Sequence, residues 1–469
     1  MNQDEKESEL TVSEPEQTKE TEEPETEEPE TEEPENEDVV VTYIGGKHHH
    51  HHHHHHKHHS QLYYKYRNAK HQVKKLFRKK SIRFTFAFLL PIIALAVVVV
   101  VVPNTFNTVN IEPSTNASSN SAKQSDVSVA FDEVPSPQLL VNQVLQNYMT
   151  ESNPDLLWNQ IRETGYTIVQ KSIAVKFSYQ ANRLPLNTTV TDSYVQVSRN
   201  KDLSNAQQYN FDMLSNAYAN FLETGTKYYY EINVVLSDGE NLKSSGSFDT
   251  MLTPRLLTFD GPVNTRDIGG WTTESGKRIK EGVLIRGSEL DGANVSDYKL
   301  SEQDFVSMHR YLGVVYDCDL RSTAENKTNV SALGANIGYR LYNIFAYTDT
   351  FEKDGMASVK ALFSDLAKPE NYPMYMHCAY GKDRTGTACA ILEALLGVSK
   401  QDIVKDYQLS GLAFPGLERA GIDSDFGKFI SRFEEFPGKS YQEKATNYLI
   451  SCGVTEKEIE SIKSIFLDN

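Results

Sequence analysis

His377-Cys-Ala-Tyr-Gly-Lys-Asp-Arg-Thr-Gly386, HCAYGKDRTG, lies between two apolar runs. Before it stands Met374-Tyr-Met376, short enough for a buried strand. After it, Gly386 to Leu396 reads GTACAILEALL, too long for a strand and suited to a buried helix. Five residues separate Cys378 from Arg384. A strand, a loop of this length and a helix let the backbone N–H groups of residues 379–384 turn inward and form an anion-binding concavity. A helix starting near Thr385 points its positive end into the same bowl. Gly381 and Gly386 allow backbone conformations and approaches that a Cβ would hinder. Ala379, Tyr380, Gly381, Lys382, Asp383, Arg384 and Thr385 thus form a cradle for a dianion, with the planar Arg384 fork gripping two of its oxygens.

The same field favours a Cys378 thiolate near neutral pH. A thiolate under a phosphorus atom is placed for in-line attack, giving a phosphocysteine that water then hydrolyses. The amides and Arg384 face the equatorial oxygens where charge is spread. The Thr385 hydroxyl is expected to donate to the sulfur, and His377 to fix the loop. Such a cradle needs no metal or organic cofactor, because it supplies the charge itself. Cys378 as a buried small hydrophobe, an inactive phosphate-binding domain, and redox pairing with Cys389 are the competing readings. Cys389, further along the helix, is expected to be buried and out of reach. Only four cysteines occur, so disulfides do not hold the fold together.

The loop resembles the signature of cysteine-dependent protein tyrosine phosphatases, and HCxxGKDRTG looks like the bacterial atypical class. Two further stretches carry the resemblance. Asn264-Thr-Arg-Asp-Ile-Gly-Gly270 is similar to an NxRDxGG motif, and Asp319-Leu-Arg-Ser322 with Glu325 to a DLRS…E segment. Arg286-Gly-Ser288 is similar to the intervening R-S element. The resemblance implies phosphotyrosine substrates, with phosphoserine, phosphothreonine or phosphoinositides as further ones. It implies Asp383 as general acid and Arg266, Asp319 and His377 as supporting residues. Asp349, Asp354 and Asp319 are the alternative acids. Lys382 reads either as a rim cation for multiply phosphorylated substrates or as a bland surface lysine.

Around the loop, Val283-Leu-Ile285, Val314-Val-Tyr316 and Met374-Tyr-Met376 alternate with helical patterns over 255–469, as in an α/β layered domain. The expected fold is an α/β cysteine-phosphatase domain at 254–469, with a central, mostly parallel sheet flanked by helices. Residues 136–253 read as a helical lead-in, 136–163, and an all-β immunoglobulin-like sandwich. Tyr166-Thr-Ile-Val-Gln170, Ile173 to Tyr179 and Tyr194 to Ser198 alternate as strands do. Leu222-Glu-Thr-Gly-Thr-Lys-Tyr228 and the strand after it resemble a fibronectin type III module. Tyr228 would take the place of that family's tyrosine that bonds back to the preceding turn.

The N-terminal part reads as an address. Residues 1–40 hold 18 acidic residues and two lysines, and 41–83 hold 11 basic residues and no acid. The acidic tail, 1–46, is expected to be disordered, since it has little apolar surface and its charges repel. Residues 47–83 contain nine consecutive histidines, 48–56, and a basic juxtamembrane stretch. Residues 84–102 are 19 residues without a charge, which suits a transmembrane helix. Nine Lys or Arg between Lys65 and Arg83 set the N-terminus in the cytoplasm and the phosphatase domain outside. Residues 103–135 read as a flexible stalk. The net charge of −17 disfavours nucleic acid as a partner. The net charge of −12 over residues 84–469 favours a phosphoprotein or phosphopeptide over an anionic lipid substrate, with the bilayer met only through 84–102. A phosphate-binding scaffold without turnover and an inositol-phosphate phosphatase are the alternative functions.

Overall fold

A computed structural model describes residues 128–151, 154–184, 186–326, 328–415, 421 and 423–468. The acidic tail, the His tract, the basic stretch and segment 84–102 lie outside the described residues. Among the described residues no helix is long and apolar enough to cross a membrane.

The chain opens with strand β1 (Ser128–Phe131) and, after a 3-10 turn at Gln143–Leu145, helices α1 (Pro154–Thr164) and α2 (Tyr166–Val169). Six strands follow: β2 (Val175–Arg183), β3 (Val190–Ser198), β4 (Gln207–Asn210), β5 (Asn216–Ala219), β6 (Lys227–Leu236) and β7 (Asn241–Asp249). They pair antiparallel into a three-stranded sheet, β1-β2-β5, and a four-stranded sheet, β4-β3-β6-β7. Period-two alternation turns one face of each sheet inward. Phe177, Tyr179, Val195, Val197, Ile232, Val234 and Phe248 meet there in one buried cluster. At the turn into β6, the Glu223 N–H donates to the Tyr228 hydroxyl at 2.8 Å.

Three expectations for this region need correction. Tyr166–Val169 is helical, not a strand. Its alternation was too short to decide, and α2 continues the packing of α1 after Gly165, whose φ of 98° breaks the helix. Residues 136–142 are not helical either. Leu140 is buried in the cluster between these two sheets while Val141 is buried in a second core, so neighbouring residues face opposite ways as a helix side would not allow. And β1 lies inside the stretch expected to be a flexible stalk, because Val129 and Phe131 pack against that cluster.

The second core belongs to residues 255–468. Its sheet contains β8 (Arg266–Asp267), β9 (Leu284–Gly287), β10 (Tyr316–Asp319), β11 (Gly338–Leu341) and β12 (Met374–His377), in the order β11-β10-β12-β9-β8. Four neighbouring strands are parallel and β8 is antiparallel at the edge. Helices α3 (Glu302–Arg310), α4 (Lys353–Leu366), α5 (Asp383–Leu396), α6 (Lys400–Gln408), α7 (Asp425–Phe433), α8 (Tyr441–Cys452) and α9 (Glu456–Phe466) accompany it. The run from Ala388 to Leu396 is buried all round, which is why its sequence shows no polar stripe. In register, His377 of β12 stands beside Asp319 of β10 and Gly287 of β9. Three strand ends therefore open at one place, where ligands bind in parallel α/β sheets. Strand β10 begins at Tyr316, two residues after the expected Val314.

The lead-in is part of this second core. Val141, Leu145, Tyr148, Trp158, Ile161 and Val169 are buried in one cluster with Leu392, Tyr407 and Phe426. The Tyr148 hydroxyl donates to the Lys405 carbonyl at 2.9 Å. Burying each large apolar side chain is worth about 1.5–3 kcal/mol. A fragment cut at 254 should therefore melt well below one that starts at 128, and a thermal scan followed by circular dichroism checks this. Equal melting temperatures would mean that the lead-in contributes nothing.

Candidate active site

Strand β12 ends at His377 and α5 begins at Asp383, three residues earlier than its apolar pattern indicates. Residues 378–382 form the loop, and Asp383 and Arg384 occupy the first turn of the helix. Gly381 has a φ of 67°, and a Cβ there would come within 2.2 Å of the Gly287 carbonyl oxygen. At Gly386 a Cβ would sit 2.9 Å from the Tyr407 ring.

The carbonyls of the loop are held by groups from neighbouring elements. The Gly381 carbonyl accepts from Arg286 Nη2 at 2.9 Å and from Asn264 Nδ2 at 3.0 Å. The Tyr380 carbonyl accepts from Asn264 Nδ2 at 3.3 Å, and the Ala379 carbonyl from the Glu289 N–H at 3.3 Å. His377 Nδ1 lies 3.3 Å from the Cys378 carbonyl oxygen. Four consecutive carbonyls, those of residues 378–381, are thus held by neighbouring groups, an arrangement compatible with N–H groups turned to the opposite side. Tyr380 adds an aromatic border, edge-on to Tyr298 at 6.0 Å and to Phe414 at 5.8 Å.

His377 is buried, and its Nε2 lies 2.9 Å from Asp317 Oδ1. Burial alone would lower its pKa, but Asp319 and Asp317 push it up to about 9. A doubly protonated ring can donate to both the carbonyl and the carboxylate, which is the expected loop-fixing role. A raised value in the folded state adds stability that is full below the ordinary pKa of about 6.5 and is lost as pH rises through about 9. Stability should therefore decline between those limits, and His377→Gln should flatten that decline in urea titrations run across the range.

Cys378 is buried at the floor, and Arg384 in the helix turn interacts with it electrostatically. The guanidinium forks onto Glu325, with Nη1 to Oε2 at 2.6 Å and Nη2 to Oε1 at 2.7 Å. Glu325 also accepts from the Ser322 N–H and hydroxyl. Arg384, and to a lesser degree Ser322, hold its carboxyl down at about 2 against the opposing effect of burial. The depressed value means that this clasp is present above about pH 4.5 and is lost as pH falls toward 2. Glu325→Gln keeps the shape and removes the charge. Turnover should drop by about ten-fold or more, as expected when a bidentate, charge-assisted pair that orients a functional group is lost. A steady-state assay reads the loss, and an unchanged rate would show that Arg384 needs no clasp.

Asp319 does not serve as a general acid. It accepts from Arg321 Nη2 at 2.7 Å, Asn326 Nδ2 at 2.8 Å and the Tyr339 hydroxyl at 3.0 Å. Burial opposes its ionisation, yet His377 and Arg321 hold it far below the usual carboxylate range. Asp349 and Asp354 sit on exposed positions of the 3-10 turn Tyr347–Phe351 and of α4. What that turn brings to the loop is Tyr347, whose hydroxyl donates to Asp383 Oδ1. The Asp383 side chain is 45% exposed, open to an incoming leaving group. Lys382 Nζ lies 3.4 Å from that carboxylate and 5.5 Å from the Tyr407 ring centroid. Burial works against its charge, but Tyr407 and Asp383 raise its pKa.

Thr385 is a correction. Its hydroxyl is buried and has no hydrogen-bond partner among the described residues, so the expected O–H to sulfur bond is not formed. Cys389 is buried as expected, and burial pushes its thiol up to about 12. Arg266 supports from behind. It bonds Asp406 Oδ1 at 2.9 Å and Asn264 Oδ1 at 2.6 Å, and thereby orients the Asn264 amide toward the loop. Asp406 also pairs with Arg286, so one buried carboxylate anchors both arginines behind the loop. Asp406, Tyr347 and Tyr407 carried no local sequence signal.

Residues 257–468 match the tyrosine phosphatase family. A Cupriavidus necator protein assigned by name to the tyrosine-protein phosphatases is 26% identical over 175 residues, covering 32% of this chain and 61% of its own. A tyrosine-protein phosphatase of Nostoc commune is 29% identical over 127 residues, covering 22% of this chain and 42% of its own. The chain thus spans less than two thirds of the length of either relative. The core catalytic domain of the S. cerevisiae PP-IP phosphatase SIW14, solved with citrate, is 19% identical with a TM-score of 0.25, covering 36% of this chain and 93% of its own. The family match concerns the part of the chain that carries the Cys378–Arg384 loop, and both named relatives are matched over a portion of their own length.

Proposed function

We propose that this chain is a cysteine-dependent phosphatase that hydrolyses phosphotyrosine monoesters through a phosphocysteine. The observation that carries the reading is a loop whose four carbonyls are all held from outside, with Cys378 on its floor and a clasped Arg384 at its end. The Cys378 sulfur attacks phosphorus as the bond to the leaving oxygen breaks. Asp383 gives that oxygen a proton. Water then attacks the phosphocysteine, with Asp383 now taking a proton, which releases phosphate and the thiolate. The aromatic border of Tyr380, Tyr298 and Phe414 suits an aryl ester.

The address completes the reading. Segment 84–102 anchors the chain with its N-terminus inside, and the phosphatase acts on phosphopeptides outside the membrane. The uncharged run and its basic flank support this. The sandwich is a fibronectin III-like spacer, supported by its three- and four-stranded sheets and by the Glu223–Tyr228 corner.

Phosphate release from phosphotyrosine, phosphoserine and phosphoinositide substrates, with chelator present, tests the activity. Binding of phosphopeptide without release would establish a scaffold instead.

A further inference from the structure

We infer that Tyr347 is a positioning residue for the general acid, one that decides which oxygen of Asp383 carries the proton to the leaving group. The inference rests on the function proposed above.

Tyr347 is held in an unusual way. Its φ is 56°, a left-handed conformation that an aromatic residue adopts only when its surroundings impose it. What imposes it is the first turn of α5. The Tyr347 N–H donates to Thr387 Oγ1 at 2.9 Å, and that hydroxyl donates to the Asp383 carbonyl at 2.9 Å. The backbone of Tyr347 is thus tied to the same turn that carries the acid. Its side chain then reaches back to that acid. The hydroxyl donates to Asp383 Oδ1 and lies 2.8 Å from the Tyr407 hydroxyl. Tyr407 is itself fixed, stacked on Phe426 with ring centroids 3.7 Å apart and planes 6° from parallel.

Proton counting gives the consequence. Tyr347 has one hydroxyl proton, directed at Oδ1, and its oxygen is free to accept from Tyr407. Oδ1 is therefore occupied as an acceptor, and the acidic proton of Asp383 resides on Oδ2. In the first step the sulfur–phosphorus bond forms and the phosphorus–oxygen bond breaks. The departing electron pair on oxygen takes the Oδ2 proton, and the carboxylate left behind keeps its bond from Tyr347. Lys382 and Arg384 are the cations that face this carboxylate, and both remain in the variants below.

The experiment uses the full-length chain with phenyl phosphate and p-nitrophenyl phosphate across pH. For Tyr347→Phe, kcat should fall about 10- to 100-fold on phenyl phosphate, whose poor leaving group needs the proton, and under about three-fold on p-nitrophenyl phosphate. Thr387→Val should give the same leaving-group pattern more weakly. Adding Tyr347→Phe to Asp383→Asn should cost nothing further. Equal losses on both esters would make Tyr347 merely structural and overturn the inference alone. No turnover by the unaltered chain would overturn the proposed function and this inference with it.

Discussion

Cys378→Ser should lose turnover of every phosphate ester by at least about 10⁴-fold, as removal of a covalent nucleophile does in other enzymes. A serine hydroxyl is hardly ionised near neutral pH, and His377 is not placed to take its proton. His377, the adjacent base by sequence, has Nε2 on Asp317 and Nδ1 on the Cys378 carbonyl, and it holds its proton up to about pH 9. The variant should keep its fold and still bind phosphate, because the cradle is made of backbone amides and Arg384. Binding is read by calorimetry with a phosphotyrosine peptide, and turnover by phosphate release. Retained hydrolysis above about 1% of the starting rate would sink the covalent mechanism.

Asp406→Asn should destabilise the protein by about 3–5 kcal/mol, the range for breaking a buried ion pair by removing one partner. Arg266 and Arg286 are both fully buried and both bond this one carboxylate. Asparagine can accept from only one of them at full strength and leaves an excess of buried positive charge. The damage should extend to the loop, since Arg286 holds the Gly381 carbonyl and Arg266 orients Asn264. Urea denaturation gives the stability loss. Phosphate affinity of the folded fraction should fall as well. A cost below about 1 kcal/mol would mean that the arginines find other partners, contrary to the burial penalty for unpaired charge.

The expected site was legible to the extent that its parts were contiguous. Cys378, Gly381, Asp383 and Arg384 lie within one loop and one helix turn, so spacing alone placed them together. Arg266 was expected only as a supporting residue, and its bond to Asp406 joins positions far apart in sequence, while that to Asn264 is local. The Thr385 contact was misjudged because it depends on which way a side chain turns, while Asp319, named both as a supporting residue and as an alternative acid, forms the ion pair with Arg321. The Thr385 hydroxyl is buried without a hydrogen-bond partner among the described residues, and Asp319 is enclosed by Arg321, Asn326 and Tyr339. Asp406 and Tyr347 were invisible. One is an acid on an ordinary amphipathic helix and the other a tyrosine in a polar turn, and neither has a neighbour in sequence that explains it.

Fold elements divide in the same way. The long uniformly apolar run of α5 and the alternating runs of β2, β3 and β6 declare themselves, because burial and period-two pleating act on residues close in sequence. Tyr166–Val169 alternates over too few residues and takes its helical form from packing beside Trp158, and Leu140 and Val141 separate only because two cores meet there.

What the amino-acid order settled by itself was therefore local: a nucleophile and a cation held one loop apart, and the strand and helix on either side. What only the tertiary structure decided was the set of groups that make this loop work, namely Glu325 on Arg384, Asp406 behind both arginines, and Tyr347 on Asp383. These contacts join residues 36 to 140 positions apart. Their formation depends on where whole elements come to rest, which periodicity and spacing do not encode.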